Sequence, residues 1–242
     1  MFEAGELVLS GLVVFFASVF LAITGFGFGL ICNAALFIFF DPRQMVVLLT
    51  LPALLAVYAS LVQVRQSVPW RSVSGYAMWA LLGLPLGVAG LQYFPPRVLK
   101  GLMAVMLLYT LWGRRYLRAL RFLQWAPLSG MLGGICAGVL GASGPAVLSW
   151  VYAQDKTYTV SRASTLAIFA ILGTARVAAY WLRGMFDNAE LVLLSLCAVP
   201  ILGAGVWVGG KIARRTSERA GRRLAYGAIF VLALMMVKGA LF

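Results

Sequence analysis

Residues 24–30 read TGFGFGL and residues 140–146 read LGASGPA. Both stretches place glycine, serine or proline where a lipid-facing helix would carry leucine and valine, and each precedes a short apolar run. A helix that starts inside a membrane leaves its first backbone N–H groups unpaired. Its start also carries about half a positive charge. Two such starts, near Phe28 and near Pro145, would form a cradle for an anion, with Pro145 suited to a first helical position. Gly25, Gly27, Gly29, Gly141, Ser143, Gly144 and Pro145 are therefore the candidate ligand residues. Thr24, Asn33, Ser143 and Thr174 offer neutral hydrogen bonds beside them. In the plainer reading, Thr24 and Ser143 cap helix starts while Asn33 and Thr174 bond across helices.

Arg176, in LAIFAILGTARVAAYWLR, is the one basic residue well inside an apolar run. Unpaired at the bilayer centre, an arginine costs about 2.5–3.5 kcal/mol on insertion scales. Two readings stay open. Its guanidinium pairs with an oxyanion through a bidentate fork, or it snorkels to the end of its helix, roughly 10 Å away.

What is missing narrows the chemistry further. All seven acids stand at segment ends or in connectors, and there is no histidine. Ser-His and Cys-His pairs, an H-E-x-x-H zinc site and a G-x-x-x-x-G-K-[ST] loop are all absent, so no enzyme is expected. No proton relay by a mid-membrane carboxylate or imidazole is expected, on the same ground. Coupling is left to sodium held by backbone carbonyls, to a proton carried by the substrate, or to the membrane potential, about 2.3 kcal/mol per charge per 100 mV. Cys32, Cys136 and Cys197 lie in apolar runs without paired spacing, which suggests packing and neither a disulfide nor a metal site. No cofactor is expected.

The elements that position these residues follow from composition. Hydrophobic residues make up 62% of the 242 positions and charged residues 11%, which points to an all-α polytopic membrane protein. Apolar runs fall at about 7–23, 30–40, 44–64, 72–93, 98–113, 125–140, 144–153, 160–182, 189–210 and 222–242. The second and seventh are too short to span a hydrocarbon core of about 30 Å, so each is read as one arm of a broken or re-entrant hairpin. The start, MFEAGELVLSG, lacks a basic n-region, so the first run is expected to be retained.

A net charge of +13 lies in the connectors between apolar runs, where it signals topology and not nucleic-acid binding. With GRRYLRALR (113–121) and KIARRTSERAGRR (211–223) in the cytoplasm, 14 of the 20 basic residues fall inside, 5 outside, and Arg176 within a segment. Both termini then face outward. This requires residues 125–153 to cross twice or to enter and leave on one side.

The chain reads as a duplication. Gly25 aligns with Gly141, then Pro85 with Pro200 and Gly90 with Gly205. Each half supplies a hairpin and three crossings, an odd number, so the second copy is expected to be inverted, the layout of secondary transporters that bind substrate near the midplane. One membrane domain (1–242) then divides into a first repeat with its basic cytoplasmic connector (1–123) and a second, inverted repeat (124–242). Small-x-x-x-small pairs such as Gly83 with Gly87 and Gly205 with Gly209 are read as helix packing.

The GFGFGLI turn, the pattern GxxGGxxAGxLGxSGP from Gly130 to Pro145, and the duplicated layout resemble the TauE/SafE family of membrane transport proteins. That resemblance implies export of a small sulfur-containing anion (sulfite, sulfoacetate or a related sulfonate) across the bacterial cytoplasmic membrane. It also implies that the two glycine turns hold the anion. Phe26 and Phe28 depart from the more glycine-rich versions of the first turn, which bears on pocket size. An anion channel and a non-transporting membrane scaffold are the alternatives. The implied partners are a small organic or inorganic anion and the lipid bilayer, with sodium or a proton as coupling ion and the oligomeric state left open.

Overall fold

A computed structural model describes residues 4–37, 39–116, 125–154, 157–187 and 189–213. Among them the chain forms nine α-helices and no strand: α1 (Ala4–Thr24), α2 (Phe28–Leu36), α3 (Pro42–Val62), α4 (Trp70–Tyr93), α5 (Pro96–Tyr116), α6 (Ala126–Leu140), α7 (Gly144–Tyr152), α8 (Tyr158–Leu182) and α9 (Ala189–Ala213). Four stretches are long and apolar enough to cross a membrane: Pro42–Val62, Trp70–Tyr93, Tyr158–Leu182 and, within α9, Val192–Ile212. The expected run at 222–242, most of both arginine-rich connectors, Asp155 and Lys156 lie outside the described residues.

Local chemistry sets the boundaries. Asp41 caps α3 by accepting from the backbone N–H of Arg43 at 2.8 Å and of Gln44 at 3.4 Å, and Pro42 fills a first-turn position that needs no donor. Two breaks interrupt otherwise continuous apolar sequence. Gly27 precedes α2 with φ 96°, and Gly141 ends α6 with φ 65°, left-handed conformations that a side chain with a Cβ resists. Nine residues each, α2 and α7 are about 14 Å long at 1.5 Å per residue and cannot span a hydrocarbon core.

Packing repeats across the two halves. α2 and α7 start and end 116 positions apart, 28 to 144 and 36 to 152, and the starts of α3 and α8 keep that spacing at 42 and 158. The most extensive helix contacts are α4 with α6 and α1 with α9. On α4, Gly83 and Gly87 lie against the backbone carbonyls of Met131 and Ile135, leaving no room for a Cβ. On α9, a Cβ at Gly205 or Gly209 would stand 2.7 Å from the Phe15 carbonyl or 2.5 Å from that of Val19.

These contacts give a different register from the proline alignment. Phe15 and Met131 are 116 apart (131 − 15), as are Val19 and Ile135 (135 − 19), while the glycines that cover them are 122 apart (205 − 83 and 209 − 87). Pro85 and Pro200 are 115 apart, a difference of seven residues or about two turns. The physical reason lies in their surroundings. Both prolines are exposed on outer helix faces, where their position is free to drift, whereas the glycines are buried where two backbones touch.

Candidate functional site

The two glycine turns meet. A Cβ on Gly29 would stand 2.7 Å from the carbonyl oxygen of Gly141, and one on Gly144 would stand 3.2 Å from Cδ1 of Leu30. Between the turns lies a cavity with about 60 Å³ of space open to water centres. Its walls include Gly27, Phe28 and Gly29 from the first break, Gly141, Ala142, Ser143 and Gly144 from the second, and Leu54, Phe169, Gly173 and Arg176 from α3 and α8. At roughly 10–15 Å³ per water on this measure, it has room for a few waters or one small polyatomic ion.

The broken helices are capped at one end only. In α6, the carbonyl of Ala137 accepts from Nη1 of Arg176 at 3.2 Å, that of Gly138 from the Tyr180 hydroxyl at 2.6 Å, and that of Leu140 from Nδ2 of Asn33 at 2.7 Å. In α1, the carbonyl of Ala22 accepts from Nη2 of Arg162 at 2.8 Å and that of Ile23 from the Tyr158 hydroxyl at 3.0 Å. The negative ends of both broken helices are thus met by donors, four of them from α8. The positive ends are not. Gly27 and Ser143, the residues preceding α2 and α7, provide no side-chain cap, and the first residues of both helices line the cavity.

Arg176 is 6% exposed, so it does not snorkel; its guanidinium stays at the α6 terminus and forms part of the cavity wall. Among the described residues its Nε has no hydrogen-bond partner, and neither has Oδ1 of Asn33. A Cβ on Gly141 would stand 3.0 Å from Nδ2 of Asn33 and 3.3 Å from Nη1 of Arg176, so both side chains flank the second turn.

The remaining expected residues divide. Gly27, Gly29, Gly141, Ser143, Gly144 and Arg176 line the cavity. Asn33 stands behind the second turn, and Pro145 is buried in the first turn of α7. Gly25 faces Arg162, whose Cγ lies 2.7 Å from where a Cβ would sit. Thr24 holds the first turn: its Oγ1 lies 2.9 Å from the carbonyls of both Phe20 and Phe26. Thr174 is exposed and away from the cavity, donating to the Ala170 carbonyl at 2.8 Å and lying 2.8 Å from the Tyr58 hydroxyl. That geometry is a bond across helices α3 and α8.

Sequence reasoning missed the two capping pairs on α8. Tyr158 with Arg162 and Arg176 with Tyr180 are each spaced i, i+4, one pair at either end of the helix, and this mirrored spacing was the available signal. Cys32 is buried, Cys136 half-buried and Cys197 exposed, all as free thiols, and among the described residues no group of side chains has the makings of a metal site.

A curated protein of Cupriavidus necator, named as a probable sulfite/organosulfonate exporter, is 27% identical over 175 residues, 68% of this chain and 66% of that relative. The match therefore spans just under two thirds of the relative's length. No solved structure matches. The family model described as sulfite exporter TauE/SafE matches residues 10–236, most of the chain, and the chain belongs to that family of membrane transport proteins.

Proposed function

We propose that this multi-pass membrane protein is a secondary transporter or facilitator that exports a small sulfur-containing anion across the cytoplasmic membrane. The anion is held between the N-termini of α2 and α7 near the bilayer midplane. One observation carries the reading: the carbonyl ends of both broken helices are capped by side chains, while among the described residues their amide ends have no side-chain cap and face a shared cavity. In a low-dielectric medium those amides gain most from a ligand that brings negative charge and several acceptors. The unpartnered Nε of Arg176 in the cavity wall adds a second, cationic donor.

Cavity size favours one member of the class. With about 60 Å³ open to water centres, the site suits the four heavy atoms of sulfite better than the eight of sulfoacetate. The inverted arrangement of two repeats is supported by the 116-residue spacing of helix starts and by the exchanged contacts, in which the first helix of each half packs on the fourth described helix of the other. Alternating exposure of the cavity then follows from rocking one half against the other. Carriage of net negative charge outward is favoured by the membrane potential at about 2.3 kcal/mol per charge per 100 mV, so no partner ion is required.

The test is flux. Purified protein in liposomes loaded with sulfite or a short sulfonate should release it with saturable kinetics, and the same anions should raise the thermal unfolding temperature. If neither flux nor unfolding temperature responds to any small anion, the assignment fails.

A further inference from the structure

A second cavity lies away from the two turns, between α1, α2, α3 and α9. It holds about 300 Å³ and is lined by Ser10, Leu48, Leu194, Cys197, Ala198 and Ile201, among others. Two of its walls, α3 and α9, are membrane-crossing stretches with mean hydropathies of 2.4 and 2.1. Cys197 and Ile201, both within the apolar stretch Val192–Ile212, are exposed at its edge.

Water does not suit this space. A buried water needs two to four polar partners, and an apolar cavity of about 150 Å³, half this size, stays dry and takes up benzene. Serine and cysteine side chains supply the few polar atoms here, and the Ser195 hydroxyl on the same helix is already spent on the Leu48 carbonyl at 2.7 Å. Left empty, the walls would forfeit dispersion contacts that the surrounding alkyl chains can supply.

The matching region of the other half is filled from within. There the Tyr76 ring lies 4.6 Å from that of Trp150, and the Tyr76 hydroxyl donates to the Ser129 carbonyl at 2.9 Å. Where the second half has Ser129 and Trp150, the positions 116 earlier are Val13 and Ala34. In the 122-residue register Tyr76 matches Ala198, a wall of the cavity, so these positions around α2 lack the aromatic bulk that closes the interface around α7.

We propose that the cavity between α1, α2, α3 and α9 is a lipid site that takes one acyl chain of a bilayer phospholipid. The occupant enters past Cys197 and Ile201 and packs on the rear of the hairpin that carries the first glycine turn. This inference does not depend on which anion is transported.

The experiment uses the full chain in nanodiscs doped with a phospholipid bearing a diazirine in mid-acyl chain, irradiated and mapped by peptide mass spectrometry. Adducts are expected to be at least fivefold more frequent at Ser10 and Leu48 than at Leu193 and Leu196, which are 63% and 53% exposed on α9 and serve as ordinary lipid-facing controls. Cys197→Phe should lower the Ser10 and Leu48 adducts by at least fivefold without changing those at Leu193. Ala198→Phe repeats the test should the first variant misfold. Equal labelling at cavity and control positions, or labelling untouched by both folded variants, would overturn the proposal. So would selective displacement of the label by a free fatty acid and not by unlabelled phospholipid, since the site would then take a different alkyl ligand.

Discussion

The first hairpin, α1–α2, and the second, α6–α7, share helix lengths after the turn and differ in how they are held. Around α7, the Ser129 hydroxyl donates to the Ala146 carbonyl at 2.9 Å, Tyr76 closes on Ser129 and Trp150, and the Tyr109 and Ser149 hydroxyls lie 2.8 Å apart. Side chains from α4, α5 and α6 therefore tie α7 down. Around α2, the counterparts are an edge-on contact of Phe20 with Phe26 at 6.0 Å and an apolar cavity. Asn33 is the polar link, and it reaches across to the other hairpin through Leu140. Among the described residues the second hairpin has the more polar ties, which on the proposed function would make it the fixed wall of the anion site and the first the wall that moves.

Steric closure of the site should have the largest effect. Gly29→Leu would push a side chain into the Gly141 carbonyl and the cavity, and we expect at least a hundredfold loss of sulfite flux from proteoliposomes with the folded protein retained by gel filtration. Gly144→Leu meets a flexible Leu30 side chain and should also abolish measurable flux, by blocking the bare end of α7. If Gly29→Leu leaves flux intact, the two turns do not enclose the pathway.

Next comes charge. Arg176→Met removes the cavity's cation and uncaps Ala137, and should lower flux tenfold or more; Arg176→Lys keeps the charge but not the fork and should fall between. Arg162→Met uncaps Ala22 without touching the cavity walls, so its effect should appear chiefly as an earlier unfolding transition. Equal flux losses in both methionine variants would mean that Arg176 acts through helix capping alone.

Hydrogen exchange compares the hairpins directly. Amides of 31–36 in α2 should exchange several-fold faster than those of 147–152 in α7, and protection equal in the two would remove the distinction between moving and fixed walls. The smallest expected change is in Tyr76→Phe. Losing its bond to Ser129 should cost about 1 kcal/mol of stability, read as a lower unfolding temperature, with flux nearly unchanged.

Much of this architecture was legible in the residues themselves. The two glycine turns stand out because a run of apolar sequence has no other reason to place Gly27 and Gly141 at its breaks, and left-handed backbone is where glycine has no competitor. Helix register was less legible, since exposed Pro85 and Pro200 carry no information about which backbones touch. Arg176 was visible as an anomaly, but its partner was not: the Ala137 carbonyl is 39 residues away in sequence. Thr174 looked like a ligand because its type fits, yet the turn of α8 points it at Tyr58.

The sequence by itself determined the membrane class, the two interruptions and the family, because hydrophobic run length, glycine placement and the lack of histidine are local or compositional properties. Only the tertiary structure decided which ends of the broken helices are capped by side chains and which, among the described residues, face a common cavity without such a cap. Capping joins α8 to α1 and α6, and α2 to α6, across more than a hundred residues in three of the five bonds, and no local pattern specifies such a pairing.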